Sequence, residues 1–358
     1  MTSNNHLAFF DNLKVLLISA VIVHHAGQAY GPTGGWWPIQ EQAHAEILGP
    51  FFMVNRSFGM SLFFLIAGYF AALSCHRHGP HALAKNRLKR LGVPLLVFSL
   101  LMIPLQVFVF GPLSNGEPGN PWPIDVGHFW FVQHLLLFTL GYTLWCGSRH
   151  QGEKPSSRPL DPPGYGKVVV FAFGLALVLS IIRNWFYIDE WVYIFGYLRV
   201  AFADLPRDLS MFVVGILAYR HQWVTCFSSN VGRVWIWVGL FLIGLWYAYD
   251  LWLVERIKIN DILWGVIFPF WETLLCCAMC IGLTVLFRDH FNRQGPLLQE
   301  MAKSTYSAYM IHIFVVIFVQ YLALGFTAPP LSKFLLVSMI AVFVSFLLAS
   351  LMRRPLRI

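Results

Sequence analysis

Apolar residues in this chain fall in runs of about twenty, divided by short polar or basic connections. The runs lie near 13–30, 51–74, 91–111, 128–146, 167–183, 208–222, 234–250, 262–287, 305–324 and 333–352. At a rise of about 1.5 Å per residue, twenty residues match the roughly 30 Å hydrocarbon layer of a bilayer. Lipid offers no partner to a bare backbone group, so such runs must be helices or strands of a closed barrel. These are too long and too continuously apolar for barrel strands. The expected fold class is an all-α polytopic integral membrane protein with about ten transmembrane helices, forming one membrane-embedded domain over residues 1–358. The stretch WVYIFGYLRVAFADLP, residues 191–206, is apolar yet carries Arg199 and Asp204, and it reads as an interfacial or re-entrant segment.

Composition removes the water-soluble alternative, because 57% of residues are hydrophobic, 12% are charged and mean hydropathy is +0.62. The first run, from Val15 to Val23, has the size of a signal peptide. It continues into HHAGQAYG without a small-residue cleavage pattern and is expected to remain as a helix.

Net charge is +8, and its distribution follows topology. With ten spans and a cytoplasmic N-terminus, 18 of the 25 Lys and Arg residues fall on the inner side, concentrated in the 77–90 and 149–167 connections and after residue 287. This places both termini in the cytoplasm and gives no reason to invoke nucleic acid. The six cysteines avoid the expected outer loops, so structural disulfides are not expected. Cys277 and Cys280 form a C-x-x-C without a second pair or a nearby histidine, and no metal is expected.

Several ionisable or polar residues lie deep in apolar runs. His24 and His25 stand about twelve residues into the first run, roughly 18 Å along a helix, where an imidazole serves either as a general base or as a hydrogen-bonded packing group. Glu272 in ILWGVIFPFWETLLCCAMC needs a partner or a proton, and it can orient a histidine, pair with an arginine or stay protonated. Arg87 and Arg90 are one helical turn apart, a spacing that suits phosphate and equally suits an inner helix end beside anionic lipid. Tyr306, Tyr309 and His312, three apart, form a polar stripe that lines a cavity or an interface. His128, Trp130 and His134 open the fourth run, where they line a site or form an interfacial aromatic belt.

In order, these stretches resemble the acyltransferase 3 family of bacterial inner-membrane proteins over nearly the whole chain. FFDNLKVLLISAVIVHHAGQAYG resembles the family's first helix, in which a basic residue precedes a histidine by eleven positions, here Lys14 and His25. SLFFLIAGYF resembles its S-x-F-F-x-x-x-G pattern, RLKRLGVPLL its R-x-x-R before leucine and proline, HFWFVQHLL its aromatic fourth helix, and AKSTYSAYMIHIFVV its late tyrosine-rich helix ending in histidine. The chain departs from the family in two places. Lys14 stands where arginine is usual, which removes any bidentate contact there, and the histidine is doubled, the spacing favouring His25. Some relatives carry an extracytoplasmic hydrolase-like domain, whereas this chain ends at Ile358 after the tenth span, so acyl transfer is expected to finish within the membrane domain.

The resemblance implies a membrane-bound O-acyltransferase. It would move an acetyl or succinyl group from cytoplasmic acyl-coenzyme A to a hydroxyl of an extracytoplasmic glycan or lipid-linked sugar. Arg87 and Arg90 would hold coenzyme A phosphates, His25 would be the base and Glu272 its orienting partner. His24, His128, Trp130, Tyr309 and His312 would line the substrate site, with membrane lipids around the helices. A proton-coupled transporter is the competing class, since ionisable groups inside helices suit it too. The acyl group, the acceptor position, the presence or absence of an acyl-histidine intermediate and the oligomeric state are not fixed by the sequence.

Overall fold

The computed structural model describes residues 7–32, 37–105, 126–148, 160–257 and 259–356. Through these residues the chain forms α1 (Ala8–Gly27), α2 (Leu48–Arg87), a π-helical turn (Leu88–Gly92), α3 (Val93–Leu105), α4 (Trp130–Ser148) and α5 (Tyr165–Ile182). A hairpin of β1 (Val192–Ile194) and β2 (Leu198–Val200) follows. The remainder is α6 (Leu205–Arg220), α7 (Trp223–Cys226), α8 (Ser229–Ala248), α9 (Asp261–His290), α10 (Pro296–Ala323) and α11 (Pro330–Leu356). The architecture is the expected all-α membrane fold.

Eight helical stretches among the described residues are long and apolar enough to cross a membrane, against ten expected. One of them, Leu48–Leu101, has 54 residues, about 80 Å of helix, far more than one crossing requires. Gly79, at φ 83° and ψ 165°, and Pro80 interrupt it, and it takes in the span predicted at 51–74 together with residues 91–101 of the one predicted at 91–111. Residues 106–111 of the latter lie outside the described residues, as do Arg149, Lys154, Arg158, Lys258 and Arg357 of the basic residues counted above. The span predicted at 208–222 corresponds to α6, which at 16 residues is short for a crossing.

Contacts divide the chain into two compact units, each discontinuous in sequence. The first comprises Met1–Gly59, Ser228–Ile259 and Leu275–Ile358. Within it α1, α10 and α11 pack on one another around Phe10, Leu13, Ile22, Val316 and Ala341, all essentially inaccessible. The helix α1 begins five residues before the predicted span and stops at Gly27, which puts His24 and His25 in its last turn. The Ser228 hydroxyl caps α8 by accepting from Val231 N at 3.3 Å.

The second unit comprises Met60–Phe227 and Asn260–Leu274. Within it α2 and α6 approach closely at two glycines. A Cβ on Gly68 would stand 2.0 Å from the Phe212 carbonyl oxygen, and one on Gly215 would stand 2.0 Å from the Leu65 oxygen. Only glycine lets the two backbones touch in this way, the small-residue mode by which helices associate in lipid. Pro269 cannot donate within α9, and Thr273 Oγ1 nearby binds the Pro269 and Ala172 carbonyls at 2.9 Å each.

The 191–206 stretch forms a short hairpin and the start of α6. Val192–Ile194 pairs antiparallel with Leu198–Val200 across a turn in which Phe195 and Gly196 both have positive φ. The hairpin rests on α4, where Gln133 bonds Tyr197 O at 3.3 Å and Arg199 N at 3.0 Å, and His134 Nε2 donates to Arg199 O at 3.1 Å. The Tyr197 carbonyl and both backbone groups of Arg199 are thus met by side chains of α4. All six cysteines are free thiols.

Candidate active site

In the first unit, the end of α1 brings together four of the expected residues. His25 Nδ1 lies 3.1 Å from Gln28 Oε1, an acceptor, so Nδ1 carries the proton and Nε2 the lone pair. The Trp37 indole stacks on the His25 ring at 5.5 Å and 15°, and the His312 ring lies 5.3 Å away at 40°. His312 donates from Nδ1 to the Tyr309 carbonyl at 2.5 Å, which likewise makes its Nε2 the basic atom. The Tyr309 ring stands 5.5 Å from that of His312, and both residues are buried, whereas Tyr306 is 36% exposed. Steps of three residues drift about 60° around a helix, which turns Tyr306 off the stripe.

His24 has different surroundings, as the roughly 100° between neighbouring helix positions dictates. Its ring meets Phe52 edge-on at 5.1 Å and Phe51 at 6.3 Å. Its ring is nearly perpendicular to that of His25, at 81°. The Phe52 ring lies against Gly27 and Gly31, where a Cβ would come within 3 Å of it. Tyr30 is buried just beyond α1, and burial, reinforced by Glu41, pushes its phenol up to about 12, so it stays neutral. Lys14 sits eleven residues before His25, about three turns and roughly 16 Å down the same face, and pairs with Asp11 at 2.9 Å.

In the second unit, Glu272 is 1% exposed and takes the arginine-paired alternative. Its Oε1 bonds Arg207 Nη1 and its Oε2 pairs with Arg183 Nη1 at 2.7 Å. Arg183 caps the C-terminus of α5 and reaches Asp204 at 3.2 Å, while Arg207 lies 3.4 Å from Asp208. Ser61 joins them, donating to Asp208 Oδ1 at 2.7 Å and accepting from Arg207 Nε at 3.0 Å. Both carboxylate oxygens of Glu272 are therefore engaged by guanidinium groups, and the expectation that it orients a histidine gives way to this buried ionic cluster. A bare carboxylate would be too costly there.

The remaining expected residues are dispersed within the second unit. Trp130 packs on Trp191 at 5.4 Å and on His134 at 5.5 Å, while His128 stands edge-on to Phe98 at 5.0 Å. Arg87 closes α2 and Arg90 lies in the following π-helical turn. The Arg87 Nε is buried without a hydrogen-bond partner among the described residues, although it belongs to a cation.

Sequence reasoning passed over Trp37, Gln28 and Gln320 beside His25, and Ser61, Arg183, Arg207 and Asp208 beside Glu272. A signal was available for two of them, since Gln320 interrupts IFVQYLA and Ser61 opens the quoted SLFFLIAGYF pattern.

Residues 7–350 match the sequence model of a family described as an acyltransferase domain. The chain belongs to the acyltransferase 3 family. Its family relatives include the glucans biosynthesis protein C of Salmonella schwarzengrund, of Salmonella typhi and of Salmonella typhimurium, each 24% identical over 234 residues. Those alignments cover 60% of this acyltransferase 3 chain and 58% of each relative, so the matched region spans less than two thirds of the relatives' length. No solved structure matches.

Proposed function

We propose that this acyltransferase 3 protein moves an acetyl or succinyl group from cytoplasmic acyl-coenzyme A to a hydroxyl of an extracytoplasmic glycan or lipid-linked sugar, across the bacterial inner membrane. The observation that carries the reading is the state of His25: its Nδ1–H is held by Gln28, its face is covered by Trp37, and its Nε2 is left as a base. In the reaction, Nε2 takes the acceptor hydroxyl proton as that oxygen forms a C–O bond to the thioester carbonyl. The tetrahedral adduct then breaks its C–S bond, and the imidazolium returns the proton to the leaving thiolate. Arg87 and Arg90 hold donor phosphates, for which the buried Arg87 Nε supplies a ready donor. Tyr309 and His312 line the reacting end, and His128 and Trp130 meet the acceptor. Family membership supports acyl transfer, and the relatives named for glucan biosynthesis support a sugar acceptor.

The test uses purified protein with acetyl-coenzyme A and succinyl-coenzyme A in parallel and glucan oligosaccharides as acceptor. Acceptor-dependent release of free coenzyme A, with a matching mass increase of the sugar, is the expected result. The buried cluster around Glu272 suits a second reading, a proton-coupled transporter. Proton-driven sugar uptake into proteoliposomes without coenzyme A release would favour it.

A further inference from the structure

Gln320 is fully buried in the last turn of α10, among apolar neighbours, where an amide is costly unless its polar atoms are met. They are met by the His25 site. Nε2 donates to the carbonyls of His25 at 3.3 Å and Ala26 at 3.0 Å, and Oε1 accepts from Trp37 Nε1 at 2.8 Å. The two carbonyls belong to the last turn of α1, where that of His25 also accepts from Gln28 N at 3.3 Å. The indole held at the other end of the amide is the one stacked on the His25 imidazole. One side chain thus grips both the backbone that carries His25 and the ring that lies on it.

We propose that Gln320 is a positioning residue for His25, acting through Trp37 and through the carbonyl end of α1 to fix where Nε2 points. The proposal rests on the general-base reading above. A leucine at 320 would fill similar volume and leave both the indole N–H and the two carbonyls without this partner. Trp37 would then be free to rotate, and the His25 ring would lose the plane against which it lies. Angular freedom in a base is expressed in turnover rather than in substrate affinity, because it spoils the reacting geometry and leaves the contacts that bind substrate intact.

The test compares full-length wild type with Gln320→Leu, Trp37→Phe, the double variant and His25→Ala. Two readouts are taken: acyl transfer to glucan oligosaccharides, and the rate at which diethyl pyrocarbonate modifies the His25 peptide, followed by mass spectrometry with His44 as internal reference. Gln320→Leu should lower kcat by about tenfold to a hundredfold, leave KM for acyl-coenzyme A and for glucan within about twofold, and change His25 modification severalfold at a constant His44 rate. Trp37→Phe, which keeps a stacking ring and removes only the N–H, should show a weaker form of the same pattern. It is the readout to use should Gln320→Leu fail to fold. The double variant should be no worse than Gln320→Leu alone, since both changes cut one chain of contacts. Wild-type kcat and His25 modification in both single variants would overturn the proposal, as would effects that simply multiply. Retained transfer in His25→Ala would overturn the general-base reading instead, and the modification rates would still report whether Gln320 sets the ring.

Discussion

Ser61 donates to Asp208 at 2.7 Å while accepting from Arg207 at 3.0 Å, so one hydroxyl joins both signs of a buried ionic cluster. Ser61, Leu65 and Gly68 follow one face of α2, and Asp208, Phe212 and Gly215 one face of α6, each set at helical spacing. The S-x-F-F-x-x-x-G pattern therefore has a local physical meaning: its serine bonds the charges, and its glycine admits the facing backbone.

Removing one side of that cluster exposes the other. Glu272→Ala leaves the guanidinium groups of Arg183 and Arg207 without their shared carboxylate and should cost about 3–5 kcal/mol of stability. Glu272→Gln keeps an acceptor and should cost less. Thermal unfolding of the purified variants in detergent measures both. A Glu272→Ala protein as stable as wild type, with turnover alone reduced, would return Glu272 to a catalytic role.

Among the histidines, His25→Ala should lower turnover by about 10²–10⁴ with expression and donor binding retained. His24→Ala should keep substantial activity, because its ring contacts are Phe51, Phe52 and the edge of His25. Purified variants assayed for transfer and for acyl-coenzyme A binding check this. The reverse ranking would show that His24 is the base.

Donor binding is expected to depend on Arg87 and Arg90. Loss of a charge-assisted contact to phosphate costs on the order of 1.5–3 kcal/mol, so Arg87→Ala should weaken acyl-coenzyme A binding roughly tenfold to a hundredfold, and lysine should restore only part. Calorimetric titration with coenzyme A reads this directly. Unchanged affinity combined with poor membrane insertion would mean that the arginines serve topology alone.

The α2–α6 contact should not tolerate even one methyl group. Gly68→Ala and Gly215→Ala each place a carbon against a carbonyl oxygen that has no side chain to move aside. Both variants should lower the yield of monodisperse protein and its melting temperature, measured by fluorescence-detected size exclusion. Gly174→Ala, in open space on α5, is the control expected to behave as wild type.

Hydrophobic periodicity made the helices legible because each apolar run is a local property of the chain. The hairpin was hidden because its strands are three residues each and its aromatic residues read equally well as interfacial. The site divided in the same way. His25 announced itself as an imidazole inside an apolar run, and Glu272 as a carboxylate needing a partner. Neither sequence position names that partner: Arg207 is 65 residues from Glu272, and Gln320 is 295 from the His25 carbonyl it binds. Local spacing reaches a few turns, and such pairings are set by how whole helices pack.

The contact of Gly68 with Phe212 and of Gly215 with Leu65 also bears on motion. Side-chain interfaces between helices can shear, because rotamers rearrange as one helix slides past the other. Two backbones pressed together have no rotamers to exchange, so the α2–α6 crossing lacks that route to sliding. On α2 the break at Gly79 and Pro80, about two turns before Arg87, is a place where the helix can bend instead.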